Sequence, residues 1–275
     1  MTVSVSFLGT RGSFPTGDTD KMVFGGNTAC VEIRYGDSVF FIDSGSGING
    51  LAQKINDEKL TNVYGFISHL HWDHICGFPV FLLGLDPSVK LTVFAGNDGN
   101  ESHLPLQTAM DRLMSPPFFP VTMSFARAQV SLVDFNSGET LRPVDGVTVT
   151  TAPLNHPNGA TGYRFDFGGK IIAYVSDTAH YPDHPNENID LLTKDADLAI
   201  YDSTYTDEEW QHFAVYGHST CEEGVRLAKR NGIKKMALFH HATDHTDAFL
   251  QAKEIELKKS FPNAFFAREK TTVIV

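Results

Sequence analysis

The chain has 275 residues, 41% hydrophobic and 20% charged, with a formal net charge of -11. This is the composition of an ordinary globular protein, long enough for one large domain or two average ones. The acidic balance argues against a general nucleic-acid binder, which normally carries a basic footprint.

The first half of the chain is rich in short strand signals. Residues 3–8, 30–34 and 39–42 alternate or are solidly apolar, and Tyr35-Gly36-Asp37-Ser38 supplies turn chemistry between two of them. Asp43-Ser44-Gly45-Ser46-Gly47 then breaks the strand and leads into a helix expected over 48–59. Phe66-Ile67 ends another strand, and residues 91–94 read as the next buried one. A helix is expected over 105–114; the following Ser115-Pro116-Pro117-Phe118-Phe119-Pro120 cannot be a regular element. Its paired phenylalanines fit either a lid or wall over a site, or a loop folded onto the core. The second half predicts strands at 147–151, 162–167, 171–175, 198–201 and 235–239. It also predicts helices over 219–231 and 246–260, the first opened by a capping box of Ser219 and Glu222. Strands followed by a helix, twice over, imply two stacked sheets with helices outside.

The three cysteines, Cys30, Cys76 and Cys221, form no CxxC pair and no even set, which favours a reducing compartment. The N-terminus reads as a strand rather than a signal peptide, and no apolar run approaches the roughly 20 residues of a membrane span. A cytoplasmic protein without a membrane partner is expected.

The most informative segment is His69-Leu70-His71-Trp72-Asp73-His74, which follows an apolar run ending at Ile67. Imidazoles and a carboxylate suit a borderline-soft divalent ion such as zinc. Buried without a metal, such a cluster would be costly. The competing reading, a polar loop with histidines scattered by chance, weakens once later residues are counted. His156, Asp177, Asp202 and His240 each follow a predicted strand, where side chains from different strands converge at one sheet edge.

Together these strings resemble the metallo-β-lactamase superfamily. Ser68 to His74 with Gly77 is similar to its HxHxDH motif, His156, Asp177 and His240 match its later ligand motifs in order, and Asp43 matches an early D-x-G element. The resemblance spans essentially the whole chain. It implies an α/β (α+β) four-layer αββα sandwich and a single domain over residues 1–275. It also implies two divalent ions: one on His69, His71 and His156, the other on Asp73, His74 and His240, with Asp177 bridging. Zinc is the default for so nitrogen-rich a set, with manganese or iron as alternatives. Asp43 reads as orienting a ligand imidazole, against the plainer role of a turn-forming Asp.

Tyr216-Gly217-His218-Ser219-Thr220 resembles the HST motif of the phosphodiesterase branch, which includes ribonuclease Z and the phosphonate-pathway cyclic phosphodiesterases. Tyr201-Asp202-Ser203-Thr204 stands where ribonuclease Z carries its HEAT motif, with the carboxylate kept as Asp202 and the neighbouring His replaced by Tyr201. The resemblance thus implies a catalytic set of His218 as acid, Asp202 as its orienting partner, and Asp73 as acceptor of the attacking water's proton. Ser219 and Thr220 are read either as phosphate-facing at a helix N-terminus or as plain caps.

The expected substrate is a small or cyclic nucleotide-type phosphodiester. A tRNA 3′-processing endonuclease is the weaker reading, since residues 97–128 hold only Arg112 and Arg127 as basic side chains and no tRNA-binding arm is evident. A lactam or thioester hydrolase would use the same metals without His218 or Asp202; a metal-binding scaffold is the non-enzymatic alternative. A homodimer is an option that nothing in the sequence demands. Among the remaining histidines, His241 and His245 are expected in an exposed loop, with one of them lining the substrate pocket as the alternative, and His180 lies near enough to the bridging Asp177 to reach substrate but is assigned no role. His103, His184 and His212 have no visible partner. Trp72 is expected to form a wall beside the metals, and Cys76 to be a small core residue.

Overall fold

A computed structural model describes residues 2–97, 99 and 104–275; His103 lies outside the described residues. The first half runs β1 (Val3–Gly9), β2 (Cys30–Tyr35), β3 (Ser38–Ile42), α1 (Leu51–Asp57), β4 (Asn62–Ile67), α2 (Trp72–Ile75), α3 (Phe78–Gly84), β5 (Lys90–Asn97), α4 (Leu106–Leu113) and β6 (Gln129–Asn136). The second half runs β7 (Thr140–Leu141), β8 (Thr148–Leu154), β9 (Ala160–Asp166), β10 (Ile171–Val175), α5 (Glu187–Thr193), β11 (Leu198–Asp202), α6 (Asp207–Phe213), α7 (Cys221–Arg230), β12 (Met236–Phe239), α8 (Asp247–Lys258), β13 (Ala264–Phe266) and β14 (Thr271–Ile274).

Among the described residues the strands form two seven-stranded sheets, ordered β14-β1-β2-β3-β4-β5-β6 and β13-β12-β11-β10-β9-β8-β7. Alternation in β1, with Val3, Val5 and Phe7 fully buried, aims one face at the opposite sheet. There Phe40, Phe66, Phe165, Tyr174 and Phe239 pack together as the shared core. Central strands such as β11 are buried on both faces, because helices cover the outside. Leu51, Phe81 and Met110 from α1, α3 and α4 close one sheet, and Leu192, Leu227 and Leu250 from α5, α7 and α8 close the other. The result is the expected αββα layering.

Several local expectations change. The helix expected over 48–59 is shorter: a 3-10 turn at Ser46–Ile48 precedes α1, and Gly50 between them has φ +89°. The α7 cap is Thr220, whose hydroxyl accepts from Glu223 N, so the Ser219/Glu222 capping box is one residue out of register. The reason is that Ser219 is drawn inward to His180 and Tyr201, while Glu222 accepts from Asp207 N. A complete capping box does occur, at Thr206 and Glu209 on α6.

Strands β3, β4 and β5 run parallel, as do β10, β11 and β12. Their carboxyl ends therefore meet at one edge of the sandwich, the usual place for a site in a sheet of parallel strands.

Candidate metal centre

The residues just past these strand ends form the site. Asp43 follows β3, Ser68 and His69 follow β4, His156 follows β8, Asp177 follows β10, and His240 follows β12. Asp43, Asp177 and His240 all adopt positive φ, at +59°, +63° and +64°. Such backbone is uncommon outside glycine and clusters at functional sites. Here it turns each side chain sharply off its strand toward the shared edge.

Four imidazoles are anchored through Nδ1. His74 Nδ1 lies 2.7 Å from Asp43 Oδ2, His69 Nδ1 3.0 Å from Ser68 Oγ, His156 Nδ1 2.8 Å from the Gly217 carbonyl, and His240 Nδ1 3.0 Å from Thr204 Oγ1. A proton on each Nδ1 satisfies all four contacts and leaves each Nε2 lone pair pointing inward, the tautomer a metal ligand needs. His71 is reversed: its Nδ1 faces inward, 3.1 Å from His156 Nε2, while its Nε2 lies 3.3 Å from the Asn158 amide.

The inward atoms fall into compact groups. Donor atoms of His69, His71 and His156 lie within 4.8 Å of one another, and so do those of Asp73, His74 and His240. Asp177 sits between them, with Oδ1 3.3 Å from His74 Nε2 and 3.4 Å from His240 Nε2. Its Oδ2 lies 3.6 Å from both His69 Nε2 and His156 Nε2. One carboxylate oxygen thus faces each triad. The buried Nε2 of His69 has no hydrogen-bond partner, and His74 Nε2 stands 3.3 Å from His240 Nε2, two lone-pair atoms with no proton to share. Divalent cations resolve both contacts, so these residues fit a metal site.

The electrostatics agree. Burial opposes charge on Asp177 and Asp73, yet His240 and His74 beside the first, and His74 and His240 beside the second, hold both carboxyls well below their usual range. Burial, with His74 nearby, holds His69 neutral, and burial lowers His156 to about 4. Burial also opposes charge on His74, but Asp177, Asp73 and Asp43 outweigh it and raise its pKa well above the usual value. Neutral His69 and His156 and a charge-prone His74 thus face the same buried, ionised carboxylates.

Asp202 and His218 adjoin the cage. His218 Nδ1 lies 2.8 Å from Asp202 Oδ2 and 4.0 Å from Asp177 Oδ2. Although Asp202 and His218 come close enough to count as potential ligands with Asp177 and His240, the carboxylate of Asp202 is already saturated. It accepts from Thr178 N, His218 Nδ1, Thr204 N and Thr204 Oγ1 at 2.8–3.1 Å. Those four bonds occupy its lone pairs, which separates this dyad from the metal ligands. Burial disfavours the His218 cation, but Asp202 and then Asp177 push its pKa up to about 9.

All seven sequence-derived ligands converge here, with Asp43 behind His74 as expected. Three side chains that sequence reasoning left without a role complete the arrangement. Thr204 links His240 to Asp202, Ser68 links His69 to Asp43, and Tyr174 Oη donates to Asp43 Oδ2 at 2.6 Å. Thr204 and Ser68 stood inside quoted motifs, and their hydroxyls next to ligands were the available signal; nothing local marked Tyr174, 131 residues from Asp43.

Other expectations are corrected. His241 and His245 are buried, not exposed. The His241 ring bonds the Ala267 carbonyl and that of His245 bonds Glu209, because the fully buried Arg11 draws the 242–245 loop inward. His180 turns to Ser219 and stacks on Trp210. Ser219 is buried against His180 and Tyr201, and Thr220 is a helix cap. Trp72 keeps a place beside the candidate ligands but is 52% exposed and stacked on Phe14 rather than packed inside. Cys76 is only partly buried.

A family model described as a β-lactamase superfamily domain matches residues 48–241. Ribonuclease Z of Lactobacillus gasseri is 26% identical over 309 aligned residues, covering 97% of both chains. Ribonuclease Z of Leuconostoc mesenteroides is 26% identical over 251, covering 74% of this chain and 76% of the relative. Among solved structures, the metallo-β-lactamase fold protein YhfI from Bacillus subtilis superposes with a TM-score of 0.74 at 18% identity and 100% coverage of both chains. Human tRNase Z, short form, gives 0.70 at 18% identity and 98% coverage of both. A diphosphatase of the PhnP family gives 0.66 at 16% identity, with 98% and 97% coverage. With the matched region running from the end of the 3-10 turn before α1 to the histidine after His240, and all seven candidate ligands inside it, the chain belongs to the β-lactamase superfamily.

Proposed function

We propose that this protein is a metal-dependent phosphodiesterase with a binuclear centre, and that residues 1–275 act as one domain. The observation that carries this reading is the saturated Asp202–His218 pair set against the ligand cage. A lactam or thioester hydrolase has no use for a second, protonated imidazole held beside the metals; a phosphodiester does, because its alkoxide leaving group must be neutralised.

In this reading His69, His71 and His156 hold one cation, Asp73, His74 and His240 the other, and Asp177 lies between. Zinc suits the nitrogen-rich set best, with manganese or iron as alternatives. Bound divalent cations supply water that ionises near neutral pH and positive charge for the phosphoryl oxygens. The remaining steps belong to side chains. His218 keeps Nδ1 on Asp202 and offers its Nε2 proton to the departing ester oxygen as the P–O bond breaks. The directly bonded Asp202 carboxylate favours the charged form of the ring. Asp202, fixed by four donors, orients the ring and stabilises its cation. Asp73 accepts Ser13 N at 2.7 Å and its carboxyl is held far below the usual range. So weak a base serves better as ligand than as proton acceptor.

A small or cyclic nucleotide-type diester is the favoured substrate. The net charge of -11 and the two arginines of residues 97–128 offer little basic surface to a large RNA. A second reading, tRNA 3′ processing, is favoured by the ribonuclease Z relatives that cover 97% of both chains. The test is hydrolysis by metal-loaded protein of bis-p-nitrophenyl phosphate, a 2′,3′-cyclic nucleotide and a tRNA precursor with a 3′ trailer, beside a cephalosporin and a glutathione thioester. Turnover of the small diesters, with His218→Ala slowed about 100-fold or more on a poor leaving group, is expected. Turnover of the precursor alone would move the assignment to tRNA processing. Activity confined to the lactam or thioester, or none at all, would overturn the phosphodiesterase reading.

A further inference from the structure

Beside the metal ligands lies a cleft that the ligands do not explain. Leu70 and Trp72, interleaved with His69, His71 and Asp73 in the chain, line one wall. Arg112 on α4 and the loop residues Phe118 and Phe119 line the other. The cleft encloses about 510 Å³, within the roughly 300–1,000 Å³ of small-molecule sites. Its lining is apolar and aromatic, with Arg112 the one charged side chain among the described residues.

Both walls leave aromatic faces open. Phe118 is 86% exposed, and Trp72 and Phe14, 52% and 63% exposed, stack with centroids 5.8 Å apart. That stack is held in place, since Ser13 N, next to Phe14, donates to Asp73 Oδ2. A flexible alkyl chain would need neither a fixed indole nor a guanidinium. A flat ring with polar edges uses both, by stacking and by hydrogen bonding to Arg112.

The lining bears on which part of the substrate enters. It comes from residues 70–119 and does not include His218. A leaving oxygen must reach His218, so the cleft is assigned to the group that stays on phosphorus. We infer that this cleft is a subsite for the retained ester substituent, and that this substituent is a flat ring of nucleoside size, stacked between Trp72 and Phe118 with Arg112 at its edge. The inference rests on the phosphodiesterase reading and names its substrate class.

The experiment compares three diesters with the same p-nitrophenyl leaving group on metal-loaded protein: thymidine 5′-p-nitrophenyl phosphate, methyl p-nitrophenyl phosphate and hexyl p-nitrophenyl phosphate. The readout is the ratio of kcat/KM values. The expected result favours the thymidyl over the methyl ester by about tenfold, the scale of one base–aromatic stack, with the hexyl ester close to methyl. Phe118→Ala brings the ratio toward one and Phe118→Tyr keeps it; at 86% exposure neither change threatens folding. Equal rates on all three esters would overturn the subsite while leaving the phosphodiesterase reading intact. A hexyl ester at or above the thymidyl ester would overturn the flat ring, and a thymidyl preference unmoved by Phe118→Ala would overturn this cleft as its location. No turnover of any of the three would overturn the phosphodiesterase reading and the subsite with it.

Discussion

Replacing Asp43 by Asn tests whether the centre is built from behind. Asp43 is fully buried and accepts four hydrogen bonds: Ser68 N to Oδ1 at 2.7 Å, and Ser68 Oγ, His74 Nδ1 and Tyr174 Oη to Oδ2 at 2.8, 2.7 and 2.6 Å. Asparagine has one acceptor oxygen. Placed at the Oδ2 position it keeps three bonds, but its NH₂ then meets the Ser68 N–H, donor against donor at a fully buried position. One buried unsatisfied donor costs about 1–3 kcal/mol, and three bonds that lose their charge assistance weaken by roughly half. Together these give an expected loss of about 3–5 kcal/mol in the metal-free protein. His74 also loses the anion that fixes its tautomer and raises its basicity, so metal affinity is expected to drop about 10–100-fold. Urea denaturation of the metal-free protein measures the first effect, and competition with a chromophoric chelator for zinc the second. A variant within about 1 kcal/mol of wild type, binding zinc equally well, would refute the claim that Asp43 organises the site.

Arg11→Met should cost about 3 kcal/mol or more. The buried guanidinium donates to the carbonyls of Gly25, Ala242 and His245 at 2.8–2.9 Å; a thioether removes all three bonds, and of these carbonyls Ala242 alone keeps another donor, His245 N at 3.2 Å. Urea denaturation checks it, and a change under about 0.5 kcal/mol, typical of a surface site, would contradict the role. Glu254→Gln should produce a pH-dependent loss. Burial opposes charge on Glu254, but Arg268 and Lys258, with Phe266 N, lower its pKa in the fold. The native state therefore binds fewer protons than the unfolded chain, and the stabilisation is present above the unfolded carboxyl pKa and fades as pH falls through the folded one. Denaturation midpoints for wild type and Glu254→Gln should be widely separated at pH 7 and draw together below about pH 4.3; a gap that does not vary with pH would exclude the mechanism.

How much of this was legible beforehand depends on whether the governing physics is local. The layering was, because period-two burial in β1 and solid apolar runs such as β11 follow from facing one or two hydrophobic partners. The weakly patterned edges were not: β6, β7, β13 and β14 are short or partly exposed, so their pairing with a neighbour holds them as strands rather than their own alternation. The convergence of the candidate ligands was legible because metal chemistry restricts residue type and spacing so tightly. The buried state of His241 and His245 was not, since it depends on Arg11, more than 230 residues away, gathering carbonyls from their loop. The same holds for Tyr174, found only once β10 faces β3 across the core.

That division bears on where specificity arises. The candidate cage and Asp43 behind it draw residues from five strand ends, and its atoms are positioned by anchors that leave little freedom: each carboxylate and hydroxyl behind it is already bonded. A change of substrate within such a cage would have to come from groups outside it. In this chain those groups are His218, tied to a saturated Asp202, and the aromatic cleft reached from the residues between the ligands. In the proposed reaction one would act on the oxygen that leaves phosphorus and the other on the substituent that stays. The two can therefore vary independently of the cage and of each other, which is why exchanging the retained ester group at constant leaving group, and the leaving group at constant retained ester, should expose Phe118 and His218 as separable determinants.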